Sequence, residues 1–267
     1  MWRSIITIFF SYNLFLRLIS SIFLIILVIL FNYLGSYYLL LLSIVTLSLL
    51  LIEYYRLFDL EFFKLGFFTN LLLVLINFLF IYSNFILIPF LLTFFGIFLS
   101  LFNNSKYFVP ISSYFYLALP FYLLIYLNKY YLDGKVIIFW LLSIVWASDS
   151  SAYMFGSIIK GKKLFPSISP IKTWAGFIFS LVFSVISSSI FSFCFNITNI
   201  YQAMLVGLII GLFTAFGDLF ESYLKRVNNK KDSSKLIPGH GGILDRLDGF
   251  LFAIVVMFIF ILLRSNS

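Results

Sequence analysis

Apolar runs of about 20 residues, separated by short polar stretches, follow one another along almost the whole chain, and this pattern leaves only one class of fold open. A helix needs about that many apolar residues to cross the hydrocarbon core of a bilayer. Inside lipid every backbone N–H and C=O must be paired within the chain, so such runs span as helices. The composition agrees: of 267 residues 63% are hydrophobic and only 10% charged, against about 25% charged in ordinary globular domains. A soluble fold is excluded, and the expected class is an all-α, polytopic integral membrane protein. Nine candidate spans can be drawn, at 17–34, 36–53, 66–82, 84–102, 112–128, 135–154, 174–195, 202–221 and 249–264, with the breaks at Gly35 and Ser83-Asn84 the least pronounced. Arg3 and Arg17 precede the first run without a small-residue cleavage site, so that run is read as a retained span. The single cysteine, Cys194, lies in an apolar segment and excludes a disulfide framework or a cysteine-based metal site.

Basic residues orient the spans, because loops on the cytoplasmic side hold the excess of Lys and Arg. With the N-terminus inside, fifteen of the 18 basic residues fall on the inner side, and only Lys129, Lys135 and Arg264 on the outer. The expectation is an N-terminus in the cytoplasm, with the polar site on that same side.

The two halves differ in kind. Residues 1–134 hold four acidic groups, Glu53, Asp59, Glu61 and Asp133, and read as a membrane scaffold. Residues 135–267 hold the other six and carry two polar patches. The denser patch runs from Ser222 to Asp248 and gathers six basic and three acidic side chains, the only histidine (His240) and the turn Pro238-Gly239-His240-Gly241-Gly242. Ionisable groups beside a bilayer are costly, so such a cluster points to function.

Just ahead of that patch, Asp218, Glu221, Ser222 and Lys225 are spaced to share one helical face, and Asp245 and Asp248 share another. Hard divalent cations bind carboxylate oxygens and bridge them to phosphates, and consecutive glycines let backbone amides approach a phosphate. Each feature also has a plainer reading: acids at a helix start favour its positive end, and a Lys/Arg run marks topology or binds anionic lipid heads. The second patch runs from Asp149-Ser150-Ser151-Ala152-Tyr153 through Gly156, Lys160, Lys162 and Lys163 to Ser169-Pro170-Ile171-Lys172-Thr173. On the expected topology both patches face one cytoplasmic cavity.

The Ser222–Asp248 stretch resembles the signature of the phosphatidate cytidylyltransferase (CDP-diacylglycerol synthase) family. That signature is Ser-x-apolar-Lys-Arg, then Lys-Asp, then Pro-x-His-Gly-Gly-apolar-x-Asp-Arg-apolar-Asp. Its fixed positions are met at Ser222, Leu224, Lys225, Arg226, Lys231, Asp232, Ser234, Ile237, Pro238, His240, Gly241, Gly242, Asp245, Arg246 and Asp248. Asp149-x-x-Ala152-Tyr153-x-x-Gly156 and Ser169-Pro170-x-Lys172-Thr173 are similar to the family's second motif. The chain departs from it at Ser157, where the family commonly has Arg, and at Ala175, where it usually has Glu.

The resemblance implies transfer of a cytidylyl group from CTP to phosphatidate, with release of pyrophosphate. It implies Mg²⁺, with room for a second ion, on Asp149, Asp218, Asp245 and Asp248. Catalytic roles fall to Asp218, Ser222, Lys225, Arg226, Lys231, Asp232, His240 and Arg246. Substrate contacts fall to Tyr153, Lys162, Lys172, Gly241 and Gly242. The expected partners are CTP, phosphatidate and membrane lipid, with no nucleic acid; a homodimer is left open. The expected location is the cell's inner (plasma) membrane. Rival readings are another lipid-directed CTP enzyme, a transporter and an inactive relative.

Overall fold

The computed structural model describes residues 12–60, 71–72, 75–76, 78, 108–234, 236 and 241–265. The expected span 84–102, most of 66–82, and His240 lie outside the described residues.

Helix α1 (Tyr12–Leu34) and helix α2 (Ser36–Leu57) meet at Gly35, whose φ of 118° breaks the helical path. Helix α3 (Phe108–Ser113) continues through a π-helical turn, Tyr114–Ala118, into α4 (Leu119–Tyr130). The π-turn ends just before Pro120, which has no N–H to continue the regular ladder. Helix α5 (Gly134–Ile159) leads into a hairpin, β1 (Lys163–Phe165) and β2 (Ser169–Thr173). Helices α6 (Trp174–Phe195), α7 (Ile200–Val227) and α8 (Leu244–Ser265) complete the chain.

Five helical segments are long and apolar enough to cross a membrane: Ser36–Leu57, Gly134–Ile159, Trp174–Phe195, Ile200–Val227 and Leu244–Arg264. They coincide with five of the nine expected spans, while 17–34 falls on α1 and 112–128 on the α3–α4 run. The protein is thus a helical, multi-pass membrane protein. The hairpin is its one departure from an all-helical chain among the described residues. Its strands pair antiparallel, with Lys163 opposite Thr173 and Phe165 opposite Ser169.

Helices α5, α6, α7 and α8 pack in succession, each against the next, and α4 fills the groove between α5 and α8. In lipid, helices associate through close backbone approach and interhelical hydrogen bonds. Helix α6 supplies both through Ser180, Ser184, Ser188 and Ser192, buried at every fourth position. Gly207 and Gly211 of α7 lie against Ser184 and Ser188. The Ser188 hydroxyl donates to the Ala203 carbonyl at 2.6 Å, and the Trp140 indole donates to the Ser188 carbonyl at 3.1 Å. The apolar core extends to α2, where Leu47, Leu50, Leu51 and Tyr54, fully buried with Leu117 and Ile125, fix it against the α3–α4 run.

Candidate active site

Two glycine crossings set the site. Where α7 passes α8, a Cβ on Gly217 would stand 2.4 Å from the Asp248 carbonyl oxygen and 3.0 Å from Gly249 Cα. Only glycine permits that approach, and it brings Asp218, next to Gly217, alongside Asp248, next to Gly249. Where α5 passes α6, a Cβ on Gly176 would lie 2.8 Å from the Ala152 carbonyl and 3.3 Å from Gly156 Cα. Thr173 caps α6 by accepting the Gly176 N–H at 3.1 Å, and Lys172 is thereby held at the end of β2.

Between α5, α6, α7 and the hairpin lies a pocket of about 70 Å³ lined by Ser148, Asp149, Lys172, Thr173 and Asp218, with Leu164 and Phe177 among its apolar walls. Lys172 Nζ pairs with Asp218 Oδ2 at 2.7 Å. The electrostatic neighbours of Asp149 are Asp218, Lys172 and Arg246. Those of Asp248 are Asp218, Glu221 and Asp149. The pocket thus joins Asp149 and Lys172 of one patch to Asp218, just ahead of the other, and Arg246 and Asp248 of that other patch are electrostatic neighbours of Asp149.

A second group of acids organises the loop behind it. Asp245 Oδ2 accepts from Gly242 N at 2.8 Å and Ser233 N at 3.1 Å, while its Oδ1 pairs with Lys225 Nζ at 2.6 Å. Lys225 also pairs with Glu221, which is fully buried one turn earlier on α7. From α2, fully buried Glu53 reaches the same loop. Its Oε1 accepts from Ile243 N at 2.9 Å and the Ser234 hydroxyl at 2.6 Å, and its Oε2 accepts from Leu244 N at 2.9 Å. Sequence reasoning assigned Glu53 to the scaffold and missed this contact. The available signal was one carboxylate closing an otherwise uncharged run from 36 to 52.

The sequence matches the cytidylyltransferase family over residues 15–264, nearly the whole chain. The chain belongs to that family. It is 43% identical over 127 residues to the phosphatidate cytidylyltransferase of Staphylococcus haemolyticus, covering 47% of this chain and 48% of that protein. It is 41% identical over 135 residues to the phosphatidate cytidylyltransferase of Bacillus subtilis, covering 50% and 49%. Against the enzyme of that name from Helicobacter pylori it is 44% identical over 119 residues, covering 45% and 44%. The chain thus spans about half the length of each of these relatives.

The other residues expected to serve this cytidylyltransferase-family site are distributed as follows. Ser222 is half-buried on α7, and Arg246 is exposed on the first turn of α8. Arg226 donates from Nε to the Ile168 carbonyl at 3.1 Å, tying the end of α7 to the hairpin turn. Lys231 and Asp232 are exposed in the loop after α7. Tyr153, 80% exposed on α5, and exposed Lys162 are absent from the pocket lining. Gly241 adopts φ 87°, a conformation that favours glycine, and the Gly242 N–H is engaged by Asp245.

Among the described residues no three His, Cys, Asp or Glu side chains gather closely enough to ligate an ion unaided. The donor chemistry still suits a hard divalent cation, which takes one or two carboxylates and fills its remaining positions with water and substrate phosphate oxygens. Asp149, Asp218 and Asp248 are the carboxylates that would offer such oxygens, whereas both oxygens of Asp245 already accept protein hydrogens.

Proposed function

We propose that this chain transfers the cytidylyl group of CTP to phosphatidate, forming CDP-diacylglycerol and pyrophosphate for phospholipid biosynthesis. The reading is carried by the pocket that joins Asp149 and Lys172 to Asp218, with Lys172 paired to Asp218 at 2.7 Å. The matched relatives bear the name phosphatidate cytidylyltransferase.

In the reaction a phosphate oxygen of phosphatidate attacks the α-phosphorus of CTP. The bond from that phosphorus to the β-phosphate oxygen breaks, and pyrophosphate leaves with the electron pair. The nucleophile is already anionic, so the demands are positioning and charge neutralisation rather than a strong base. Asp149, Asp218 and Asp248 would hold Mg²⁺, which when bound neutralises triphosphate charge. Lys172, at the pocket wall, is placed to take the lipid phosphate. Arg246, Arg226 and Lys231 supply positive charge around the pocket mouth and loop for the nucleotide phosphates. Lys225 and Asp245 shape the loop that presents them. The apolar part of the pocket lining suits a substrate whose tails stay in the bilayer.

The same reading places the N-terminus and the site on the cytoplasmic side of the inner (plasma) membrane, in line with fifteen of 18 basic residues falling on that side. It also divides the chain into a scaffold, 1–134, and a catalytic region, 135–267. The test is an assay in mixed micelles with phosphatidate, cytidine-labelled CTP and Mg²⁺, run beside Asp218→Asn and Asp248→Asn. Label entering the lipid phase, with pyrophosphate released and both lost in the variants, is the expected outcome. No label with phosphatidate or any other phospholipid acceptor, across several divalent metals, would sink the reading.

A further inference from the structure

The loop that carries the signature glycines is held by a residue from the opposite half of the chain. Gly242, two residues before α8, carries no side chain, and a Cβ there would stand 1.9 Å from Ser233 Oγ and 2.7 Å from Glu53 Oε2. The helix's first free amides, Ile243 and Leu244, instead donate to the two oxygens of Glu53, both at 2.9 Å. A capping oxygen satisfies these amides and anchors the first turn, and a buried anion is well placed at the positive end of a helix. Glu53 also takes the Ser234 hydroxyl, so it clasps both ends of the loop from 233 to 244.

The turn it caps carries Asp245, Arg246 and Asp248. Asp245 completes the arrangement by accepting the Gly242 N–H. The start of α8 is therefore capped from two helices: Asp245 of α8 supplies the backward contact, and Glu53 of α2 supplies the carboxylate that meets Ile243 and Leu244.

We propose that Glu53 is a positioning residue for the nucleotide-transfer reaction: a cap supplied from α2 that ties Ser233 and Ser234 to the start of α8 and holds its first turn in the catalytic arrangement. The inference rests on the cytidylyltransferase reading for its effect on rate, and on geometry alone for its effect on the loop. Glutamine at 53 keeps one acceptor oxygen and turns its NH₂ toward an amide that also donates. The loop then loosens, and the carboxylates and Arg246 lose their fixed placement.

The experiment compares wild type with Glu53→Gln in detergent micelles by two readouts. The first is trypsin cleavage in the loop, at Lys230, Lys231 or Lys235. The second is kcat and KM for CTP and phosphatidate. The variant is expected to be cut about tenfold faster or more while eluting as wild type on gel filtration, with kcat lowered about 10- to 100-fold, the range of a misplaced catalytic group. KM for phosphatidate should stay within twofold. Glu53→Asp, which keeps the carboxylate, should recover part of the rate. Cleavage and kcat both within twofold of wild type in Glu53→Gln would overturn the proposal. If Glu53→Gln does not fold, Ser234→Ala replaces it and decides the question: faster cleavage supports the clasp, and unchanged cleavage overturns it. Wild-type protein inactive toward phosphatidate would instead overturn the reaction reading, and the cleavage arm would still test the clasp.

Discussion

Six carboxylates stand in and behind the pocket, and they form two sets with opposite habits. Glu53 and Asp245 are saturated: between them they accept from Ile243, Leu244, Gly242, Ser233 and Ser234, and Lys225 bridges Asp245 to the third member, Glu221. Asp149, Asp218 and Asp248 instead stand among one another, with Lys172 and Arg246 also beside Asp149 and Glu221 also beside Asp248. Lys172 reaches Asp218, and Asp248 accepts the amide of its own neighbour Gly249 at 2.8 Å. Buried polar groups that serve structure are normally hydrogen-bonded in full. The second set has few protein hydrogens and two basic neighbours, and under the proposed reaction it would meet a cation and an anionic substrate. The contrast separates acids saturated by the protein from acids that the proposed reaction would use.

The sharpest break of that contrast comes from neutralising a pocket acid. Asp218→Asn or Asp248→Asn should lower turnover about a thousandfold, in the range set by losing one well-placed electrostatic group. The folded state should be as stable as before or more so, since like charges are relieved. Label incorporation and a thermal melt on the same sample check this. A large fall in Tm would move these acids into the structural set. Asp245→Asn should behave in the opposite manner. It weakens a largely buried pair with Lys225, whose side chains are 13% and 11% exposed, and loss of one partner from such a pair costs about 3–5 kcal/mol. The melt should fall by several degrees, and turnover should fall with it.

Next in size is Lys172→Ala. Its pairing with Asp218 is 2.7 Å long and partly open, at 22% and 43% exposed, so stability should change little. Its larger effect is on the lipid: KM for phosphatidate should rise about tenfold, the cost of one charge-assisted contact of roughly 1.4 kcal/mol. Unchanged KM would take Lys172 out of substrate binding.

The membrane architecture was legible because span length is a bilayer property, readable from hydropathy alone. So was the eventual meeting of the two patches, since positive-inside bias put both on one side. The hairpin was not, because strands of three and five residues are too short to show alternation. Asp245 and Asp248 were expected on one face, yet they look to different neighbours. Residues three apart on a helix sit about 60° apart around its axis, enough to turn Asp245 to the loop and Asp248 to Asp218. Helix α8 begins at Leu244, five residues before the expected span edge at 249, because its first amides are met by Glu53. That contact joins residues 191 apart in the chain, and no local pattern announces it.

The smallest effect is the one that isolates how α2 grips the loop. Besides Glu53, the end of α2 holds the loop through Lys230, which donates to the Arg56 carbonyl and pairs with Asp59 Oδ1 at 2.7 Å. The two tethers join the same elements but differ in setting: Glu53 is fully buried, whereas the Lys230–Asp59 side chains are 29% and 73% exposed. Solvent screens the second, so Lys230→Ala should cost no more than about 0.5 kcal/mol, a Tm change of about 1–2 °C for a chain of this size. Turnover should be unchanged. Equal losses from Lys230→Ala and Glu53→Gln would mean that any tether between α2 and the loop matters alike. A loss confined to Glu53→Gln would assign the grip to the buried carboxylate at the start of α8.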